Sequence, residues 1–230
     1  MKFGKVESLW RYPVKSLAGE QSDTFDINIR GVSGDRLYAI SNSDGKFGSG
    51  KDTRRFRHID GLFSLSAKMT GNEVSIKFPD GTTLSENAPS INSMLSKTLG
   101  QSVTLTKEGE ISHFDDGPIH ILTTASLSLL REKLPQSGVE PRRFRPNIVI
   151  ASPLLEKELL GKIINMGAVS LRVTHPTERC RMIMIDQPGL EKRPDILKVV
   201  SQNFGLFFGV YAKVLSAGSV SVGDSVEIAE

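Results

Sequence analysis

The sequence predicts a mainly β protein with a few helices, arranged as two closely packed β-rich domains. Three observations carry this reading. Short apolar segments separated by Gly, Pro and Asp turns recur along the 230 residues. Only three stretches hold a helical period. Those stretches do not alternate regularly with strands, which argues against a doubly wound parallel sheet.

The elements follow in order. Thr24–Ile29 and Leu37–Ile40 are strand-like. Val74, Ile76 and Phe78 alternate with Ser75 and Lys77, and Pro79-Asp80-Gly81 turns the chain into Thr82–Leu84, a hairpin. A helix is expected over Pro89–Leu99, with Ile91, Met94, Leu95 and Leu99 on one face and Gly100 as its stop. Val103–Leu105 is a further strand. Residues 107–117, KEGEISHFDDG, are polar and acidic and form the best linker candidate, dividing 1–110 from 111–230. Ile119–Leu122 is then a strand, and Ala125–Leu134 a helix capped by Thr123 or Thr124 and stopped by Pro135. Asn147–Ile150, Ala168–Val173 and Met182–Ile185 are expected as strands and Pro194–Gln202 as a helix. Phe207–Leu215 and Ser225–Ile228 close the chain as strands, with turns at Gly218 and Gly223-Asp224.

Composition narrows the class. With 38% hydrophobic and 24% charged residues the chain is neither disordered nor membranous. It opens without a signal-like apolar run and holds no window long enough to span a bilayer, so a cytoplasmic protein with no membrane partner is expected. A net charge of +3 is too small to argue for nucleic acid by itself. One cysteine, Cys180, excludes an intrachain disulfide and any cage of several cysteines.

Several familiar chemistries are missing. GKFGSGKD, residues 45–52, approaches the phosphate-loop pattern but puts Asp52 where a magnesium-binding hydroxyl is needed. It reads as a Gly-rich hairpin before a basic segment. His58, His113, His120 and His175 lack metal-ligand spacing and read as structural or solvent-exposed rather than as ligands. No nucleophile elbow and no dinucleotide fingerprint is present.

What remains is basic residues around one thiol. Arg179 and Arg181 flank Cys180 and favour a thiolate, a nucleophile or soft-metal ligand. The alternative for a lone cysteine is a small buried hydrophobe. Arg142, Arg143 and Arg145 run into the apolar strand Ile148–Ile150. Arginines entering a core need an anionic partner, either a protein carboxylate or a phosphate-like ligand. Lys15 and Ser16 stand at a strand end, and Asp35-Arg36 opens the next strand.

Taken in order, YPVKS, GVSGDRLYAI, ILTTASL, RFRPNIVI, ERC and SVGDSVEI resemble the MOSC proteins, named for the molybdenum cofactor sulfurase C-terminal domain. The resemblance spans nearly the whole chain. It implies a β-barrel-like MOSC fold over 111–230, preceded over 1–110 by the family's N-terminal β-barrel domain. The relatives it suggests are the amidoxime-reducing components, which reduce N-hydroxylated compounds on a molybdenum cofactor (molybdopterin). By that resemblance Cys180 is the molybdenum ligand and catalytic centre. Lys15, Ser16, Arg36, Thr123, Arg145, Asn147 and Arg179 are the cofactor-binding residues. The substrate is then a small molecule, and electrons come from a separate donor, a ferredoxin-like or flavin-reductase protein. The chain departs from these relatives at Glu178, where they have a small hydroxyl residue, and in SPLLEKELLGK, which lacks their tryptophan. These 230 residues include neither a ferredoxin-like domain nor a pyridoxal phosphate domain.

Two other functions stay open on the residues. Cys180 serves a sulfur or cofactor carrier as a persulfide, or Arg54, Arg55 and Arg57 mark a module that binds an anion or nucleic acid. No nucleic-acid partner is expected on the first two readings.

Overall fold

A computed structural model of the chain describes residues 1–134 and 139–229. It is mainly β with three α-helices among the described residues, and its centre is a closed barrel. Around the ring the strands are Lys2–Arg11, Ile148–Ala151, Ile119–Thr123, Phe207–Ser216, Val169–Glu178, Ile163–Met166 and Ser225–Ile228, which returns to Lys2–Arg11. One stave therefore comes from the start of the chain and six from residues 119–228. All neighbours are antiparallel except Ile119–Thr123 beside Ile148–Ala151. A parallel pair needs a crossover, and the helix Thr124–Lys133 supplies it. The barrel is filled by inward apolar residues including Val6, Ile121, Ile150, Leu171 and Val210.

Three small sheets surround the barrel, two made by the N-terminal half and one in which Thr24–Asn28 pairs with both Gly31–Val32 and Gly218–Ser221. The hairpin expected at Pro79-Asp80-Gly81 is present, joining Glu73–Lys77 to Thr83–Ser85. Residues 45–52 contain the strand Phe47–Ser49, antiparallel to Tyr38–Asn42 and followed in parallel by Phe56–His58. Helix Ile91–Leu99, ended by left-handed Gly100, closes a second core over Ile40, Leu65, Ile76 and Leu95. A third core lies under Thr124–Lys133 and helix Pro194–Phe204, around Leu127, Leu130, Phe144, Val200 and Phe208.

Local chemistry explains the element ends. Thr123, not Thr124, caps the crossover helix, its hydroxyl accepting from the Ser126 amide at 3.4 Å. Pro135, the expected stop, lies outside the described residues. Met182–Ile185, expected as a strand, is corrected: Arg181–Met184 form a 3-10 turn started by Cys180. The apolar residues there do not line a sheet face, because only Ile183 is fully buried. The linker candidate 107–117 is not a free tether. The strand Val103–Lys107 overlaps its start, and His113 is buried.

Candidate functional site

The segments around Cys180 are held by arginines whose partners are backbone carbonyls. Arg143, buried at 4%, donates to Ile183 O, Ile185 O and Glu191 O. Arg142 donates to Pro188 O and Gly189 O. The anionic partner expected for this pair is thus replaced by carbonyl dipoles, which fix the loop following the cysteine. Arg145 alone of the three turns elsewhere.

Cys180 is a free, half-buried thiol in a cavity of about 90 Å³. Lys15, Ser16, Arg36, Asp115, His120, Arg145, Arg179 and Tyr211 contribute to its walls, as do Lys51 and Glu178. A larger groove of about 410 Å³ adjoins it across Met182, which walls both. The structure therefore brings Lys15, Ser16, Arg36, Arg145, Arg179 and Cys180 to one place, although they span 165 positions of sequence from Lys15 to Cys180. Arg181, the other flank of the cysteine, is exposed and takes no part in the walls.

Two of the sequence-chosen residues do different work. Thr123 does not line the cavity. Its amide donates to Glu156 Oε1 at 2.6 Å and its hydroxyl is spent on the helix cap. Asn147 is a buried bracket: its Oδ1 accepts from the His120 amide at 3.1 Å and its Nδ2 donates to Trp10 O at 3.3 Å.

Backbone strain marks the site independently. Among the described residues four non-glycines have left-handed φ: Ser16 at 64°, Arg36 at 49°, Arg145 at 58° and Leu206 at 70°. Three line the cavity, and the Leu206 carbonyl accepts from the Arg179 amide at 2.7 Å. Such conformations are costly and gather at functional sites.

The electrostatics are lopsided. Lys15 Nζ donates to Asp115 Oδ1 at 2.7 Å and to His113 O at 3.0 Å. Burial lowers the Lys15 pKa although Asp115 opposes the shift. Arg36 pairs with the fully buried Asp35, whose carboxylate and that of Asp115 together outweigh burial and raise the Arg36 pKa. Arg145 lies over the Tyr12 ring at 4.2 Å and donates one Nη1 bond to Leu17 O at 2.6 Å. Burial, with repulsion from Arg36, pulls its pKa down to about 10. Arg179 donates from Nη2 to Phe144 O at 2.9 Å, and burial lowers its pKa too. Four cations thus face two carboxylates, Asp35 and Asp115, while the charges of Lys51 and Glu178 offset each other. Arg145 Nη2 and Arg179 Nε are buried donors without a partner. Uncompensated buried charge costs several kcal/mol. The cavity walls thus carry a surplus of positive charge, and planar donor forks are suited in geometry to a phosphate group.

Asp115, His120 and Tyr211 are among the wall residues that sequence did not single out. Asp115 sat in an apparent linker, and His120 and Tyr211 look like ordinary strand residues. Burial and then Arg179 hold His120 well below the usual histidine range, so it is neutral at physiological pH. Its Nδ1 meets Arg145 O at 3.2 Å, while Nε2 is buried without a partner. Burial and the Asp115 carboxylate push Tyr211 up to about 12.

Among the described residues no group of three or more His, Cys, Asp and Glu side chains is arranged to hold a metal ion, and no helix is long and apolar enough to cross a membrane. A metal on Cys180 would take its other ligands from an organic group.

Comparisons with known proteins agree with this architecture. Similarity to the YUAD protein of Bacillus subtilis has a TM-score of 0.57 at 16% identity, covering 98% of this chain and 94% of that one, and shows a shared fold. Molybdenum cofactor sulfurase of Bos taurus is 24% identical over 90% of this chain but only 30% of its own length. The Drosophila ananassae sulfurase is 37% identical over 36% of this chain and 12% of its own length. This chain thus spans about a third or less of those relatives. Mitochondrial amidoxime reducing component 2 of Rattus norvegicus is 24% identical over 97% of this chain and 82% of its own length. Residues 3–116 match the MOSC N-terminal beta barrel domain, and residues 108–227, more than half the chain, match the MOSC domain. Barrel, thiol cavity and sequence match agree: the chain belongs to the MOSC domain family.

Proposed function

We propose that this chain binds a molybdenum–pterin cofactor through Cys180 and reduces N-hydroxylated small molecules with electrons from a separate redox protein. The observation that carries the reading is the surplus of buried cations, with partnerless donors on Arg145 and Arg179, around the chain's one thiol. These residues fit an anionic, phosphate-bearing group with a soft metal. Cys180 would be its protein ligand, a role suited to thiolate. Lys15, Arg36, Arg145 and Arg179 would neutralise and orient the phosphate and the ring edges. Ser16 shapes the wall through its bond from Oγ to Gly48 O at 2.9 Å. Once bound, the group supplies the two-electron exchange, and the protein supplies binding, orientation and charge. The groove beyond Met182 would be the approach for a small substrate. The likeness to the rat amidoxime reducing component over nearly all of this chain supports the reductase activity. A cytoplasmic setting, where thiols stay reduced, suits a working free thiol at Cys180.

The test is metal content. Purified from a host that makes the cofactor, the protein is expected to carry close to one molybdenum per chain, and Cys180→Ala almost none. Equal molybdenum in the two proteins, or none in the parent, sinks the reading.

The likeness to the sulfurases supports a second reading, in which Cys180 carries sulfur as a persulfide. Exposure to a cysteine desulfurase would then add one sulfur atom to Cys180 by mass spectrometry, without turnover of N-hydroxylated compounds.

A further inference from the structure

Tyr211, His120 and His175 stand at one level on three adjacent staves of the barrel. In the ladder His120 is opposite Tyr211 across one strand pair, and His175 is opposite Tyr211 across the next. The rings form a row with centroids 5.6 Å apart for His120 and Tyr211 and 5.3 Å for Tyr211 and His175. The row has an inner and an outer end. His120 is 3% exposed and lines the Cys180 cavity with Tyr211. At the other end His175 Nε2 meets Asp116 Oδ2 at 2.8 Å, and those side chains are 40% and 66% exposed. Gly117 makes room for the middle ring, since a Cβ there would lie 2.8 Å from Tyr211 carbons. Gly209 does so for the inner ring, since a Cβ there would lie 2.2 Å from His120 Nε2. The charged groups facing the row are Asp115, Asp116, Arg36 and Arg179, with Arg145 contributing its carbonyl to His120.

We propose that Asp116, His175, Tyr211 and His120 form a proton path from solvent to the Cys180 cavity. This rests on the reductase reading, in which the demand for protons is explicit. Reducing an N-hydroxyl compound to its parent amine or amidine breaks the N–O bond. One N–H and one O–H bond form, and water leaves. The step consumes two electrons from the donor protein and two protons. The cavity's other donors are cations already committed to carboxylates, carbonyls or the anion. The row offers neutral groups that take a proton at one atom and release it from another: imidazole nitrogens at both ends and the phenol between them. At these separations the rings pack against each other, so a proton would pass between their polar edges rather than through a gap between ring faces, with a water bridging polar atoms that are not in direct reach. Neutral His120 has one ring nitrogen, Nδ1, at Arg145 O, and in either tautomer one of its two nitrogens is bare and can take the proton at the inner end.

Two measurements test the path. The first needs no cofactor: exchange of the His120 ring N–H proton with solvent, followed by NMR in protein carrying nitrogen-labelled histidine. Exchange is expected to slow at least tenfold in Tyr211→Phe, and an unchanged rate overturns the path. The second uses the molybdenum-loaded protein and an aryl amidoxime. Tyr211→Phe and His175→Ala are expected to lower kcat at least tenfold with little change in KM or molybdenum content, and to raise the solvent isotope effect. Added imidazole is expected to restore His175→Ala, as it would not for a merely structural loss. Wild-type kcat and isotope effect in Tyr211→Phe overturn the path. If the loaded wild type reduces no amidoxime, the reductase reading fails, and the exchange measurement still decides the path.

Discussion

Leu206 and Gly205 are both left-handed, and the Leu206 carbonyl fixes the amide of Arg179 one position before the cysteine. At the residue scale the site is made by such backbone choices as much as by side chains. Cys180, Lys15, Arg36, Arg145 and Arg179 were drawn together by the family resemblance, with basic residues beside apolar strands as a local hint, and the structure brings them to one cavity. His120 and Tyr211 were not, because their roles depend on strand register, which no local pattern encodes. Thr123 carried two readings in sequence, cofactor contact and helix cap, because a hydroxyl at a strand end suits both; the structure gives it the cap, with the amide of Ser126 the group within reach. Gly209 gives a prediction here. Its φ is 89° and an added Cβ would strike His120 and the Ile121 carbonyl. Gly209→Ala is expected to cost about 2–4 kcal/mol in urea unfolding, from strain and overpacking together. Asn147→Ala is expected to cost about 2–3 kcal/mol, because it orphans the buried His120 amide and the Trp10 carbonyl.

At the element scale the segment after Lys107 changes most. Sequence polarity made it a linker, yet it is a strap over the cavity. Arg30 grips Glu108 with two bonds, at 2.7 and 2.6 Å, and stacks on Phe114 at 4.4 Å. Asp116 meets His175, and Asp115 takes Lys15. Its acidic residues looked solvated because their basic partners are far away in sequence. The strap carries a pH dependence. Burial alone would raise the Asp115 carboxyl, but Lys15, Arg36 and Arg145 outweigh it and hold the pKa below the unfolded value of about 4. Its folded pKa being the lower one, its stabilisation is present above the unfolded pKa and is lost as pH falls toward the folded one. Asp115→Asn is therefore expected to melt below wild type at pH 7, and the gap to start narrowing as pH falls below about 4 and to keep narrowing toward the folded pKa. A gap of constant size from about pH 5 down to about pH 2 would show that the ion pair is not its origin. Half of the Asp115 side chain is open to solvent, so the effect at pH 7 is expected to shrink in high salt.

For the whole molecule, the barrel joins what the sequence divides. The fold class, the β-rich halves and most strands were legible from alternation and turn residues. The ring was not, since closure joins Lys2–Arg11 to Ile148–Ala151 and Ser225–Ile228, pairings over more than 130 positions. Stability is accordingly expected to be shared. Leu9 is 1% exposed and pairs in register with Ile148. Leu9→Ala is expected to cost about 2–5 kcal/mol. It is expected to lower the unfolding midpoint of probes in the second half, such as Tyr211, as well as those near residue 9. An effect confined to the first half would show that the barrel is not one cooperative unit.

That closure sets a timetable for biogenesis. Synthesis runs from the N-terminus at about 5–20 residues per second. The first stave emerges early and has only the short strand Glu20–Ser22 beside its end until its barrel neighbours at Ile148 and Ser225 follow, tens of seconds later at the slower rates. Through that interval Val6 and Leu9 lack the barrel core that buries them and are apolar groups open to chaperones. Lys15 and Arg36 are made long before Cys180, so no nascent intermediate has the full set of cavity walls. On the proposed function, loading would be confined to chains that have already closed their ring.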